Sequence, residues 1–206
     1  MLPRLSPLTA SHEQSGAKFT TFGGWKMPIR FGSIIAEHNC VRNAVGKFDV
    51  SHMGQIYLDG KDAEYLTNKL VSNNVTRLSD NQAQYAMITD DNGIILDDTL
   101  VYRNSSESFM FIPNAGHDEE MFLRWEYFRD EWDLDVTIKN STNEIAMFAI
   151  QGPLAVDSID ALSPDSLLDL KRFTTTVTTI SGITCTVSRT GYTGEDGIEL
   201  SVGNDI

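Results

Sequence analysis

DNGIILDDTLVY, residues 91–102, turns a corner and then runs straight. Asp91-Asn92-Gly93 is a turn signal, because Asn and Gly accept the positive φ of tight hairpin turns. Ile94 to Tyr102 is dense in residues that favour strands. With Ala83 to Thr89 before it, the stretch predicts an antiparallel hairpin across Asp90 to Gly93. Side chains alternate between the two faces of a strand. Ile94, Leu96, Asp98, Leu100 and Tyr102 form one face; Ile95, Asp97, Thr99, Val101 and Arg103 form the other. Asp98 therefore falls on the more apolar face. Asp97 falls on the mixed one, where it is expected in solvent or capping a backbone group. A carboxylate on an apolar face must be paired, protonated or used. Asp98 reads either as a structural acceptor for a neighbouring loop or as the chain's best catalytic candidate.

Outward from this hairpin the chain alternates short strands and helices. Upstream, Ser33 to Val45 predicts a helix with Ile34, Ile35, His38, Val41 and Val45 near one face, ended by Gly46. Gln55 to Leu58 predicts a strand, and Gly60-Lys61-Asp62 opens a helix that repeats Ala63, Leu66 and Leu70 at helical spacing. Downstream, Phe109 to Ile112 predicts a strand. His117-Asp118-Glu119-Glu120 starts a helix whose acids suit a positive N-terminus and whose stripe is Met121, Trp125, Phe128 and Trp132. A strand over Glu144 to Ile150, a break at Gln151-Gly152-Pro153 and a short helix over Leu154 to Leu162 follow. Phe173 to Ile180 and Ile183 to Ser188 form a hairpin, and Ile198 to Val202 a last strand. The fold class is α+β, with mostly antiparallel sheets and packed helices.

The 206 residues suffice for one large domain or two small ones. Sixteen basic against 29 acidic residues give a net charge of −13, which argues against nucleic-acid binding and against anionic membranes. No apolar run approaches the ~18 residues that span a bilayer. The start, MLPRLSPLTASHEQ, lacks the apolar segment of a secretory signal, so a cytoplasmic or organelle-matrix location is expected, the cytoplasm first. Cys40 and Cys185 stand far apart in no metal-type spacing and read as buried free thiols. Dinucleotide, P-loop, Cys-x-x-Cys and zinc-protease signatures are missing, and none of the four histidines has a metal-type partner, so no metal is expected. Two further stretches stand out. Asp49-Val50-Ser51-His52-Met53-Gly54 packs polar residues between apolar ones, as a tight turn or as a ligand-facing loop. Arg189-Thr190-Gly191-Tyr192-Thr193-Gly194-Glu195-Asp196-Gly197 is either a long hairpin turn or a loop whose glycines bring backbone against a ligand.

Taken in order, Phe22-Gly23-Gly24-Trp25-Lys26-Met27-Pro28, Glu37-His38, Phe48 to Gly54, Gly93 to Asp98, Gln151-Gly152-Pro153 and Arg189 to Gly197 closely resemble the T-protein of the glycine cleavage system, the tetrahydrofolate-dependent aminomethyltransferase. The resemblance implies transfer of a one-carbon unit from the aminomethyl-lipoyl H-protein to tetrahydrofolate, a co-substrate, with release of ammonia. It implies a folate-binding domain in two parts, 1–57 and 140–206, around a second α+β domain over 58–139. Family members run well past position 206, so the chain is expected to be the N-terminal part without the family's C-terminal β-barrel. Carried over by position, the resemblance assigns Asp98 as the essential aspartate. It assigns Met53, Tyr85, Ile112, Asn114, Tyr192 and Glu199 as folate contacts. Because the folate tail is anionic, its cationic contacts are expected from Arg189, Arg103 or the segment beyond. Two alternatives share parts of this pattern: a related folate-dependent demethylase, and a non-catalytic folate-binding module.

Overall fold

The computed structural model describes residues 2–204. In chain order the elements are β1 (Arg4–Leu5), α1 (Thr9–Gln14), β2 (Lys18–Phe22), β3 (Trp25–Arg30), α2 (Ile34–Asn43), β4 (Gly46–Asp49), β5 (Ile56–Asp59) and α3 (Ala63–Leu70). A 3-10 turn at Val75–Arg77 leads to β6 (Gln82–Thr89), β7 (Ile95–Ser105), β8 (Ser108–Ile112), α4 (Asp118–Glu131) and β9 (Thr137–Asn140). Then come β10 (Ile145–Gln151), α5 (Ala155–Asp160), β11 (Thr175–Ile180), β12 (Ile183–Ser188) and β13 (Gly197–Gly203). Contacts divide the chain into two compact units: residues up to His52 with those from Glu144 onward, and Met53–Asn143.

The second unit is one five-stranded antiparallel sheet in the order β6-β7-β8-β5-β9. Its β6–β7 hairpin closes where the Asp-Asn-Gly signal lies. Asp90 Oδ1 accepts the backbone N–H groups of Asn92 at 2.9 Å and Ile94 at 2.8 Å. On one face Ile56, Leu58, Ala86, Ile88, Val101, Phe109 and Phe111 meet Leu66 and Leu70 of α3 and Met121 and Trp125 of α4. Phe111 and Trp125 pack with tilted rings, their centroids 4.3 Å apart. Burying a side chain of this size contributes about 1.5–3 kcal/mol. The acids Asp118, Glu119 and Glu120 fill the first turn of α4, where the helix dipole favours them. The opposite face carries a smaller cluster of Ala83, Tyr102, Met110 and Ile112, with Met53, Tyr57 and Leu100 packed against it.

This covering corrects the facing argument. The face that looked mixed in sequence, with Asp97, Thr99 and Val101, is the one the helices bury, and Asp97 is only 5 % exposed. Asp98 lies half-buried on the other face with Leu100 and Tyr102.

The first unit holds the five-stranded antiparallel sheet β11-β12-β13-β10-β4 and the small sheet β1-β3-β2, in which β1 runs parallel to β3. Ile150, Ala155, Val156, Leu167, Val187, Ile198 and Leu200 form its core. The β2–β3 hairpin turns through Gly23 and Gly24, both at positive φ. Three expectations change here. Helix α2 starts at the predicted place, with Ser33 Oγ accepting from Ala36 N, but it buries no residue, and Ile34 and Ile35 stay exposed. Gly46 opens β4, opposite Gln151 of β10, and the helix ends before it. Cys185 is buried but Cys40, on α2, is exposed.

Candidate functional site

The face of the second unit's sheet opposite α3 and α4 gathers five of the seven expected site residues. Register pairs Met87 with Asp98, Tyr85 with Leu100, and Leu100 with Ile112, so Tyr85, Asp98 and Ile112 share a face. Met53 packs on the apolar cluster there. Tyr85, 46 % exposed, reaches diagonally across the hairpin and donates its phenol to Asp98 Oδ2. That carboxylate, with burial adding to it, holds the Tyr85 phenol above its ordinary range.

Asn114, two residues past β8, completes the group. Its Nδ2 donates to Asp98 Oδ1 at 2.9 Å, to Asp97 Oδ1 at 2.8 Å and to the Asp98 carbonyl at 3.1 Å. Its backbone N–H donates to Asp97 Oδ2 at 3.0 Å. Asp97 does cap a backbone group, but from a buried position. Asp98 is thus a fixed acceptor, held through one oxygen by an amide and through the other by a phenol. Beside it lie the half-buried side chain of Leu100, the buried Ile112 and a tyrosine ring open to solvent. Such a surface suits a flat heterocycle with hydrogen-bond donors along one edge.

Tyr192 and Glu199 lie in the first unit. Glu199 projects from β13 between Ala149 and Ser188 and is 3 % exposed. Burial pushes its carboxyl up, while the Thr190 hydroxyl, which donates to Oε2, pulls it down. Tyr192 is 69 % exposed on the loop between β12 and β13. Gln151, fully buried, shapes that loop. Its Nε2 donates to the carbonyls of Thr190 at 3.1 Å and Ile198 at 3.3 Å, and its Oε1 accepts from Thr193 Oγ1 at 2.9 Å. Gly191 is required there, because a Cβ would run into the Gln151 amide. In sequence Gln151 reads only as part of a break; its signal is a polar residue ending an apolar strand.

The expected cations are already engaged. Arg189 forks onto Asp196, with Nη2 at 2.6 Å, and its Nη1 donates to the carbonyls of Leu168 and Leu170. Arg103 pairs with Glu64 and with Asp80. Neither is therefore a ready partner for an anionic tail.

The stretch from Asp49 to His52 is a stapled turn. Burial pushes the Asp49 carboxyl up, but donors Ser6, Ser51 and His12 outweigh it and hold the carboxyl below its ordinary range. His12 Nε2 lies 2.8 Å away and Ser51 N 3.0 Å. Ser51 Oγ exchanges hydrogen bonds with the Met147 backbone. His52 stacks edge-on to Phe22, and burial lowers its imidazole against the opposing Asp49 charge. Among the described residues, no group of three or more His, Cys, Asp or Glu is placed to hold a metal ion, and no helix is long and apolar enough to cross a membrane.

Comparison with known proteins places the chain in a family. The GCVT N-terminal domain family matches residues 8–206. A probable aminomethyltransferase of Natronomonas pharaonis is 52% identical over 198 residues, which are 96% of this chain and 55% of that protein. An aminomethyltransferase of Desulfitobacterium hafniense is 38% identical over 95% of this chain and 53% of its own length. The crystal structure of glycine cleavage system aminomethyltransferase T from Bartonella henselae superposes with a TM-score of 0.87 at 28% identity, over 99% of this chain and 54% of that one. The chain thus spans about half the length of the curated relatives it matches. A family match over residues 8–206, on a fold shared with a solved relative, establishes that the chain belongs to the GCVT N-terminal domain family.

Proposed function

We propose that this chain supplies the folate-handling part of an aminomethyltransferase of the glycine cleavage system, which moves a one-carbon unit from the aminomethyl-lipoyl H-protein to tetrahydrofolate and releases ammonia. The observation that carries the reading is the single sheet face on which Asp98, Tyr85, Asn114, Ile112 and Met53 converge. Tetrahydrofolate supplies the nucleophilic nitrogens that accept the carbon. Asp98 orients and electrostatically supports them, because a fixed carboxylate stabilises positive charge as it develops. Tyr85 and Asn114 hold Asp98 in place, so no reorganisation is needed at the moment of reaction. Met53 and Ile112 provide the apolar floor, and Tyr85 an aromatic face. In the first unit, Glu199 is the candidate acceptor for ring N–H donors and Tyr192 the candidate stacking partner. Holding reactants in register supplies several kcal/mol, of the ~7–11 available in ideal cases.

The test is direct. The chain is titrated with 5-formyltetrahydrofolate by calorimetry, and transfer from aminomethyl-lipoyl H-protein is assayed with and without Asp98→Asn. The expected result is folate binding, with transfer largely lost in a variant that keeps its fold. Near wild-type transfer in Asp98→Asn rejects the assignment. Folate binding with no transfer in the unmodified chain supports a binding module instead.

A further inference from the structure

Asp97 and Asp98 point to opposite faces of β7, yet one side chain holds both. Asn114 gives its amide to Asp97 Oδ1 at 2.8 Å and to Asp98 Oδ1 at 2.9 Å, and its backbone N–H to Asp97 Oδ2 at 3.0 Å. Asn114 is therefore docked through Asp97, and the free edge of its amide steadies Asp98. The turn that carries Asn114 is closed by His117 N donating to the Asn114 carbonyl at 3.0 Å. At the far end of that turn His117 Nδ1 stands 3.1 Å from Asp97 Oδ1, with the Asp97 side chain 2 % exposed and that of His117 43 %. The ring nitrogen is not aligned for a directed hydrogen bond, so this contact is one of charge when the imidazole is protonated. Both ends of the turn thus rest on one buried carboxylate.

We propose that Asp97 is a positioning residue for Asp98, acting through Asn114 and braced by His117. The proposal deepens the functional reading above and rests on it only for its consequence in folate binding. The side-chain amide introduced by Asp97→Asn offers one acceptor oxygen where the carboxylate offers two. Either the Asn114 N–H or its Nδ2–H then faces a donor. Asn114 shifts, and Asp98 with it.

Tyr85 reports the event without any ligand, because its phenol donates to Asp98. The full chain is labelled with 13C at tyrosine Cζ, the Tyr85 resonance is assigned with Tyr85→Phe, and its pH titration is followed. In the wild type Tyr85 is expected to titrate above the ordinary 10.0, with the hydrogen bond to Asp98 as the first cause. In Asp97→Asn the titration is expected to fall back toward that value, and affinity for 5-formyltetrahydrofolate to drop about tenfold, the cost of one misplaced charge-assisted hydrogen bond. A merely structural Asp97 would lower the melting temperature and move Tyr85 only by the direct loss of the Asp97 charge, the smallest of the causes acting on it, a shift that His117→Gln does not make because it keeps that charge. An unmoved Tyr85 titration in folded Asp97→Asn overturns the proposal. Should that variant not fold, His117→Gln, at a half-exposed position, takes its place with the same expected direction, and an unmoved titration there overturns it equally. A wild-type chain that binds no folate sinks the functional reading while the Tyr85 comparison still decides this one.

Discussion

Asp98 and Glu199 are both carboxylates that a strand offers to one face of a five-stranded sheet, one in each unit, and they are held in opposite ways. Asp98 is half-buried, with a donor on each oxygen. Glu199 is 3 % exposed, and burial outweighs the Thr190 hydroxyl that serves it. The first environment fixes the direction of its carboxylate; the second taxes the anion until something arrives to share its charge. Under the proposed function the two acids would do different work: Asp98 would support charge where it develops, and Glu199 would accept from donors that displace its present partner.

The largest expected effect separates those jobs kinetically. Asp98→Asn keeps shape and removes charge, and turnover should fall about 10²–10³-fold, the usual loss when a preorganised electrostatic group is removed. Glu199→Gln should instead weaken folate binding by about 10–100-fold, with turnover at saturating folate largely kept, since it removes a hydrogen bond to a charged group rather than a transition-state contact. Steady-state kinetics over a folate series measures both. Equal losses of turnover in the two variants would erase the distinction.

A second effect appears in stability rather than rate. The Glu199 carboxyl is raised in the folded chain, chiefly by burial. The folded state therefore holds this proton more tightly than the unfolded chain does. The corresponding stability is complete below the ordinary 4.5, and it is lost as pH rises from there through the folded value. Glu199→Gln should remove that loss and melt higher than the wild type at pH 7, with little difference at pH 4. Asp196 runs the other way: the Arg189 fork is the main cause holding its carboxyl down, so its contribution is present above the ordinary 3.8 and is lost on acidification. Thermal melts across pH 3–8 resolve the two slopes. A Glu199→Gln variant that is less stable at pH 7 than at pH 4, relative to wild type, contradicts the buried-acid account.

What could be read in the sequence tracks how local the signal is. The β6–β7 hairpin is legible because its turn residues and its strand-forming run adjoin. Helix α4 is legible because three acids start it and Met121 and Trp125 recur on one stripe. Hairpin β2–β3 is not, since Lys18 to Phe22 is almost wholly exposed and shows no apolar alternation. Strand β9 buries only Ile138 among its four residues. The faces of β7 are not legible, because composition along one strand cannot say which side the helices cover. A face bearing Asp97 and Thr99 is the deeper one once Asn114 and the Ile112 N–H satisfy them. Asp98 stood out on local pattern, but the amide bridge that holds it joins residues 16 apart, and Gln151 meets Thr190 across 39. Family likeness supplied the positions of Tyr85, Asn114 and Glu199; only the fold supplies their partners.

The smallest effect tests the weaker side of the comparison, the hydroxyl beside Glu199. Thr190→Val keeps volume and removes the donor to Oε2. A hydrogen bond to an ionised acceptor is roughly twice as strong as one to a neutral acceptor. The cost should therefore be about 1–2 kcal/mol at pH 7 and smaller near pH 4, where the carboxyl carries its own proton. In a Glu199→Gln background the same substitution should cost less at pH 7 and lose its pH dependence, because the acceptor is neutral throughout. A double-mutant cycle in urea, run at both pH values, measures the difference. If Thr190→Val costs the same at both pH values in the Glu199 chain, the hydroxyl is not supporting a charge. Glu199 would then be protonated in the resting protein at pH 7, and it would meet a ligand as an acid that can also donate.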